Sequence, residues 1–208
     1  MKGTKFMEKK PREEEIITLN KYKELIEYIK DNIIVINERE QNKANARKIG
    51  VCTDTLSVSY YVIEDFIING LKGAEHKAFI TLYALAQAID ISIQATIKLY
   101  EIVVGTTCDR NVVISGGLQE FIDEVLNNVK MVNEYDSTIL LNSIDCSKYE
   151  INITSLKNDN FENREVSYRR LILDYLNNQK ELKFVKHIIF RIIMNDKIKE
   201  FEKEFDDE

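Results

Sequence analysis

The chain has 208 residues, of which 44% are hydrophobic, enough to bury the core of one globular domain and too many for a disordered chain. Its net charge of −6 argues against broad electrostatic attraction to nucleic acid, although a local basic patch could still contact RNA specifically. One proline and seven glycines favour long helices over a fold of many strands.

The cysteines give no sign of a disulfide framework or a zinc site. The three cysteines are scattered along the chain and form no CxxC pair: Cys52, Cys108 and Cys146. This pattern suits a reducing cytosol, and we predict no metal and no cofactor. Because the N-terminus has no apolar segment typical of a signal peptide and charges interrupt the apolar runs, we predict a cytoplasmic protein with no membrane-spanning segment.

The first half of the chain predicts three helices after a flexible lead at residues 1–11. Apolar residues at three- and four-residue spacing predict an amphipathic helix over residues 12–32. A second helix is expected to be capped by Thr53 or Asp54 and to end at Asn69-Gly70. The glycine-free run from Ala74 to Gly105 is apolar on more than one face and predicts a buried central helix, paired with its predecessor as an antiparallel hairpin.

The second half of the chain predicts a helix, a small hairpin and further helix. The helix covers residues 118–132, the β-hairpin covers residues 137–155, and the final helical segment runs over 162–205 with a break near Asn177-Asn178. Residues 201–208 are predicted to be a flexible acidic end. The expected fold is a single domain over 1–208, mainly α: a helical bundle with a small β-hairpin before the C-terminal helix, homodimeric through exposed apolar helix faces.

The central helix carries a family resemblance. Its residues Tyr83, Gln87, Ala88, Ala95, Leu99 and Glu101, together with Leu56, Glu64 and Asp65 of the helix before it, fall in step with a pattern found in HEPN-like proteins. Downstream, Tyr135-Asp136-Ser137 precedes the run KYEINI, as in one branch of that family. The chain therefore resembles the HEPN-like helical domains, which include bacterial toxin and phage-defence ribonucleases.

The resemblance implies a place for catalysis. In the family, an arginine and a polar residue are followed by a histidine: the arginine holds the scissile phosphate and the histidine assists proton transfer from the ribose 2′-hydroxyl. Here Arg110 and Asn111 match, but Gly116 or Gly117 stands where the histidine is expected. By the family's pattern, this chain therefore lacks the histidine that would act as the acid/base group.

Each candidate residue has a simpler interpretation. Arg110 could clamp a phosphate or pair with a helix end, and Asn111 could contribute to the site or cap a turn. His187 could supply the missing base, since it shares a helix face with Arg191, but the order is reversed and its apolar neighbours favour a core or boundary position. His76 is expected to be an exposed or capping residue.

Three polar residues lie on one face of the otherwise apolar central helix and therefore need partners or water: Gln87, Asp90 and Gln94. We expect them to face solvent or a dimer seam, with a ligand pocket as the alternative.

Three functions follow from the sequence. The first is a non-catalytic or divergent HEPN-like protein that acts by protein or RNA binding in a toxin or phage-defence setting. The second is an active metal-independent endoribonuclease that uses Arg110 and Asn111 with another residue such as His187. The third is a structural or regulatory helical interaction module.

Overall fold

The fold is mainly α-helical. The computed structural model describes residues 11–32, 43–70, 75–130, 139–145, 150–157 and 160–206. Its helices are α1 (Glu13–Asp31), α2 (Lys43–Asn69), α3 (Glu75–Val104), α4 (Arg110–Val113), α5 (Gly116–Lys130), α6 (Tyr168–Asn177) and α7 (Lys180–Asp206); its strands are β1 (Ile139–Asp145), β2 (Glu150–Lys157) and β3 (Asn160–Ser167). Residues 1–10 of the lead predicted at 1–11 lie outside the described residues.

Helix α1 forms where the sequence predicts it and is tied to α6 by a buried ion pair. The Glu15 carboxylate accepts hydrogen bonds from the backbone N–H of Arg12 (2.7 Å) and from Arg169 Nε (2.8 Å), with a second bond from Arg169 Nη2. Burial alone would raise the pKa of Glu15, but the hydrogen bonds and positive charge of Arg169 and Arg12 favour the ionised form, and the pKa is lowered. The pair therefore joins two elements far apart in sequence.

Helix α2 begins earlier than the sequence predicts. It starts at Lys43, so Thr53 and Asp54 lie inside it and do not cap it. The Thr53 hydroxyl donates to the carbonyl of Gly50 (3.0 Å), and Asp54 is exposed and accepts from Lys30 (2.8 Å). Thr and Asp side chains bond to nearby groups inside helices as well as at helix starts, so their presence does not by itself mark the start of a helix. The predicted end is confirmed, with Gly70 at φ 66°.

Helix α3 is the central helix of the bundle, as predicted. It packs against α2, α4, α5 and α7, and buries residues on several faces, among them Leu82, Leu85, Ile89, Ile93 and Leu99. It stops before Gly105, whose φ of 80° suits a residue without a side chain. By length and composition alone, its segment Ile80–Val104 could cross a membrane, but core helices pass the same test and half of that window is buried in the bundle.

Strands β1, β2 and β3 form an antiparallel sheet in chain order. Ile139 pairs with Ser155 and Asp145 with Glu150, with a shift in register between Leu141 and Ser143. Residues 137–138 and the turn at 146–149 of the predicted 137–155 hairpin lie outside the described residues, so the hairpin stays a prediction. Strand β3 pairs along its whole length with β2, and the helical segment predicted from residue 162 begins instead at Tyr168.

The last two helices confirm the predicted break near Asn177-Asn178. In α7 the side chains of Leu182, Val185 and Ile189 are buried where the helix packs on α1 and α3. From Phe190 to Glu200 no side chain is buried. Among the side chains that the structure describes, the fully buried ones of α7 therefore lie in its first half, with Ile193 partly buried against the core. The acidic end predicted at 201–208 begins within this helix.

Candidate functional site

The segment after the central helix is a short, anchored helix that positions Arg110. Asp109 caps α4, because its Oδ1 accepts from the backbone N–H of Asn111 (2.9 Å). The side chains of Val113 and Ile114 are buried in the core. The cap and these two apolar anchors hold the backbone of the segment in place.

Arg110 lies at the centre of a polar network that joins α3, α4 and α5. Its Nη2 donates to Asp90 Oδ1 (2.5 Å) and its Nε donates to Gln119 Oε1 (2.7 Å). The network continues to Gln94, which donates to Asp90 Oδ2 (2.7 Å), and to Asp123, which accepts from Gln119 Nε2 (2.8 Å). We call these five residues the Arg110 network.

The charges around Arg110 are mostly negative. Asp90 contacts the guanidinium directly, Asp123 is joined to it through Gln119, and Asp109 precedes Arg110 in the chain. The side chains of Arg110 and Asp90 are 30% and 17% exposed, which makes their charge-assisted bond stronger than that of a fully solvated pair. A phosphate at this position would compete with Asp90 for the charge of Arg110.

The other sequence candidates lie apart from this network. The side chain of Asn111 is exposed. His187 is also exposed, on α7, so the core or boundary position favoured by its apolar neighbours is wrong. Gly116 begins α5 and is exposed, with no atom within 4 Å of where a side chain would start. The side chain of His76 lies outside the described residues.

A broad groove of about 630 Å³ opens between α2 and α3, on the face of α2 that does not enter the core. Val51 and Val58 on one wall are 66% and 65% exposed, and Tyr83 and Ile91 on the other are more than a third exposed. The full lining is Val51, Asp54, Thr55, Val58, Ser59, Val62, Tyr83, Ala84, Gln87, Ala88 and Ile91. Asp54 is the charged residue of this lining, and it pairs with Lys30.

The thiols in the described part of the chain do not have the environment of reactive cysteines. Burial raises the pKa of Cys52, which lies in the core. Burial also raises the pKa of Cys108, and the nearby carboxylates of Glu181, Glu101 and Asp109 add to the rise. Both thiols are therefore protonated at neutral pH, which lowers their nucleophilicity. Within the described ranges, no cluster of three or more His, Cys, Asp or Glu side chains is placed to hold a metal ion.

Sequence reasoning found part of this arrangement. The sequence marks Asp90 as a polar residue of an apolar helix that needs a partner, and Arg110 as a candidate site residue, but it does not predict that the two pair. Gln119 gave no signal in the sequence. Gln87 lies in the groove, whereas Gln94 is exposed and bonded to Asp90.

Comparisons with known proteins give no match: no protein-family model, curated protein or solved structure is significantly similar to this chain.

Proposed function

We propose that this protein is a non-catalytic, HEPN-like helical protein that acts by binding another protein, in a toxin or phage-defence setting in the cytoplasm. The family part of the proposal rests on the resemblance of the central helix and of Arg110-Asn111. The proposed fold includes the β-hairpin over residues 137–155.

One observation carries the non-catalytic part: Arg110, the residue that would hold a phosphate, is already bound to the Asp90 carboxylate. The Asp90 carboxylate at 2.5 Å makes with the guanidinium the kind of charge-assisted bond that a phosphate would make. The position expected for the acid/base histidine is a glycine, and His187 is exposed on a different helix. Arg110 thus has the contacts of a structural residue that holds α4 and α5 to α3.

The groove between α2 and α3 favours a protein partner over RNA. Its walls are mainly aliphatic, whereas RNA-binding surfaces combine basic residues with aromatic side chains that stack on bases. The net charge of −6 also opposes RNA binding. Exposed valine and isoleucine side chains on a concave face are typical of protein interaction sites.

The first test is an RNA-cleavage assay with wild type, Arg110→Ala and His187→Ala at matched concentration, after circular dichroism has shown that all three are folded. We expect no cleavage by any of them. Arg110→Ala should instead lower the free energy of unfolding by about 1–2 kcal/mol, because Asp90 and Gln119 each lose a bond. Cleavage by the wild type that is lost in Arg110→Ala would refute the proposal and favour a ribonuclease that uses Arg110 and Asn111.

A second arm tests the family resemblance. Gly116→His, combined with Asp90→Asn, restores the histidine of the pattern at an unobstructed position and weakens the hold on Arg110. If the resemblance is correct, this double variant should gain cleavage that depends on Arg110. A folded double variant without cleavage would count against the family assignment and leave a helical interaction module.

A further inference from the structure

Helix α7 has apolar side chains on two opposite sides. On the side that faces the bundle, Val185 and Ile189 are buried. On the outward side, Phe190, Met194 and Ile198 follow one another at four-residue spacing and are 50%, 41% and 52% exposed. A helix that only packs on a core needs one apolar side, so the outward row indicates a second contact surface.

Basic side chains lie along the same outward side. They are exposed and stand at spacings of three and four residues from one another or from the apolar row: Lys180, Lys183, Arg191 and Lys197. Within the described part of the chain, no ion pair involves these four side chains. Lys183 donates to the carbonyl of Asn177 (2.9 Å), which leaves its positive charge without a counter-charge. We call these four residues, with Phe190, Met194 and Ile198, the outer face of α7.

The acidic residues of the same segment lie elsewhere on the helix. Residues 180–199 contain six lysines or arginines and two acidic residues, in a chain with a net charge of −6. The two acidic residues do not enter the outer face, because Glu181 is buried and Asp196 is half-buried. The outer face is therefore a positive patch on a strongly negative protein, and the partner that fits it by charge is anionic.

The pattern does not suit a helix of another protein. A seam between two helices needs two neighbouring apolar rows, with spacings that alternate between three and four residues. Beside Phe190, Met194 and Ile198, the positions that would complete the second row hold Arg191 and Lys197. A partner helix would bring these two charges into the seam, where their desolvation is costly.

Nucleic acid would use the charge of the outer face but not its apolar row. Phe190 has a ring that could stack on a base, whereas Met194 and Ile198 have neither a ring nor a hydrogen-bonding group. An anionic lipid surface uses both features, because apolar side chains enter the boundary between headgroups and acyl chains. The long stems of lysine and arginine keep their charges at the level of the headgroups.

We propose that the outer face of α7 binds the surface of a membrane that contains anionic lipids, with α7 lying along that surface. From Lys180 to Ile198 the face is about 27 Å long, at 1.5 Å per residue. The contact is interfacial, since the opposite side of the same helix stays packed in the bundle. None of its residues lines the α2–α3 groove, so this inference goes beyond the proposed function and leaves that groove to a protein partner.

The test is sedimentation of the full chain with vesicles. One set contains phosphatidylcholine and phosphatidylserine in a roughly two-to-one ratio, and the other contains phosphatidylcholine alone. Wild type should sediment with the first set and not with the second, and added salt should release it. Sedimentation with both sets alike, or with neither, would overturn the proposal.

Paired charge variants test the surface. Each lysine or arginine near an anionic bilayer contributes roughly fivefold to binding, so Arg191→Gln with Lys197→Gln should weaken it about 25-fold. The matched control is Lys48→Gln with Lys199→Gln, which removes the same charge. Lys48 lies on α2, and Lys199 lies nine residues, or about two and a half turns, beyond Phe190 on the other side of α7. Equal loss in the two double variants would overturn the proposal.

Paired apolar variants separate lipid from nucleic acid. Phe190→Ser with Ile198→Ser should weaken vesicle binding about tenfold or more, because two side chains no longer enter the lipid. Val51→Ser with Val112→Ser is the control, since both valines are 66% exposed away from this face, and should bind as wild type does. All variants are first shown to be folded by circular dichroism.

A labelled uridine homopolymer is the competing probe, measured by fluorescence anisotropy. Binding of this RNA that is lost in the charge variant and kept in the apolar variant, without vesicle binding, would overturn the proposal in favour of nucleic acid. None of these outcomes depends on RNA cleavage or on the α2–α3 groove, so failure of this proposal leaves the proposed function to its own tests.

Discussion

The buried pair between Glu15 and Arg169 offers a sharp test of how α1 and α6 are held together. Glu15→Gln keeps the size of the side chain but removes the charge that Arg169 and the Arg12 N–H bind. The two side chains are only 8% and 12% exposed, so the variant removes the charge of Glu15 from beside a largely desolvated guanidinium. Breaking such a pair costs about 3 kcal/mol, against at most about 1 kcal/mol for an exposed pair.

The control is Glu13→Gln, an exposed glutamate in the same first turn of α1. Both variants remove one negative charge from the positive end of the helix dipole, which costs about 0.3–1 kcal/mol, and only Glu15→Gln also breaks the pair. Urea unfolding followed by circular dichroism at about pH 7 should therefore separate the two variants by about 3 kcal/mol, the cost of breaking the pair, at an unchanged slope. Equal midpoints for Glu13→Gln and Glu15→Gln would refute the reasoning.

The pH dependence gives a second check on the same pair. Because the pKa of Glu15 is lowered in the folded state, its contribution is complete above the ordinary value of 4.5 and is lost as the pH falls from there through the folded-state pKa. The difference between wild type and Glu15→Gln should therefore shrink below that pH. A difference that stays constant down to about pH 3 would mean that the charge of Glu15 is not what stabilises the fold.

One further substitution and one reagent test the packing around single residues. Gly50→Ala should raise the free energy of unfolding by about 0.5–1 kcal/mol, because Gly50 lies inside a helix with open space for a methyl group; a lower urea midpoint would contradict this. A thiol reagent should modify Cys108 before Cys52, because Cys52 is buried in the core whereas Cys108 is partly exposed. Equal rates of modification in residue-level mass spectrometry would contradict this.

The long helices could be predicted because local pattern and tertiary packing agree there. The apolar spacing of α1 and α3 is strong, and Gly70 and Gly105 stop helices with backbone angles that disfavour other residues. The start of α2 could not be predicted, because Thr53 and Asp54 have the chemistry of caps yet bond within or across helices. Strand β3 was missed since its pairing with β2, rather than its own alternation, determines it.

The candidate site was less accessible to sequence reasoning because it depends on distant pairs. Asp90 and Arg110 are twenty residues apart, and Gln119 is a common residue on a helix surface. The groove depends on which faces other helices cover. Val51 and Val58 are residue types found in cores, and they are exposed because the buried faces of α2 are the ones that contact α1 and α3. Apolar content alone does not distinguish a core face from an interface.

Helix α7 combines two levels of stability in one unbroken backbone. Its first turns bury Leu182, Val185 and Ile189, and they can open only when the bundle unfolds. From Phe190 to Glu200 no side chain is fully buried, with Ile193 partly buried against the core, and neither glycine nor proline separates the two halves. The rate of amide exchange should therefore rise along α7, from the rate of global unfolding in its first turns to that of an isolated helical peptide near its end. The two halves of one helix thus allow tertiary stabilisation to be compared directly with local helix stability.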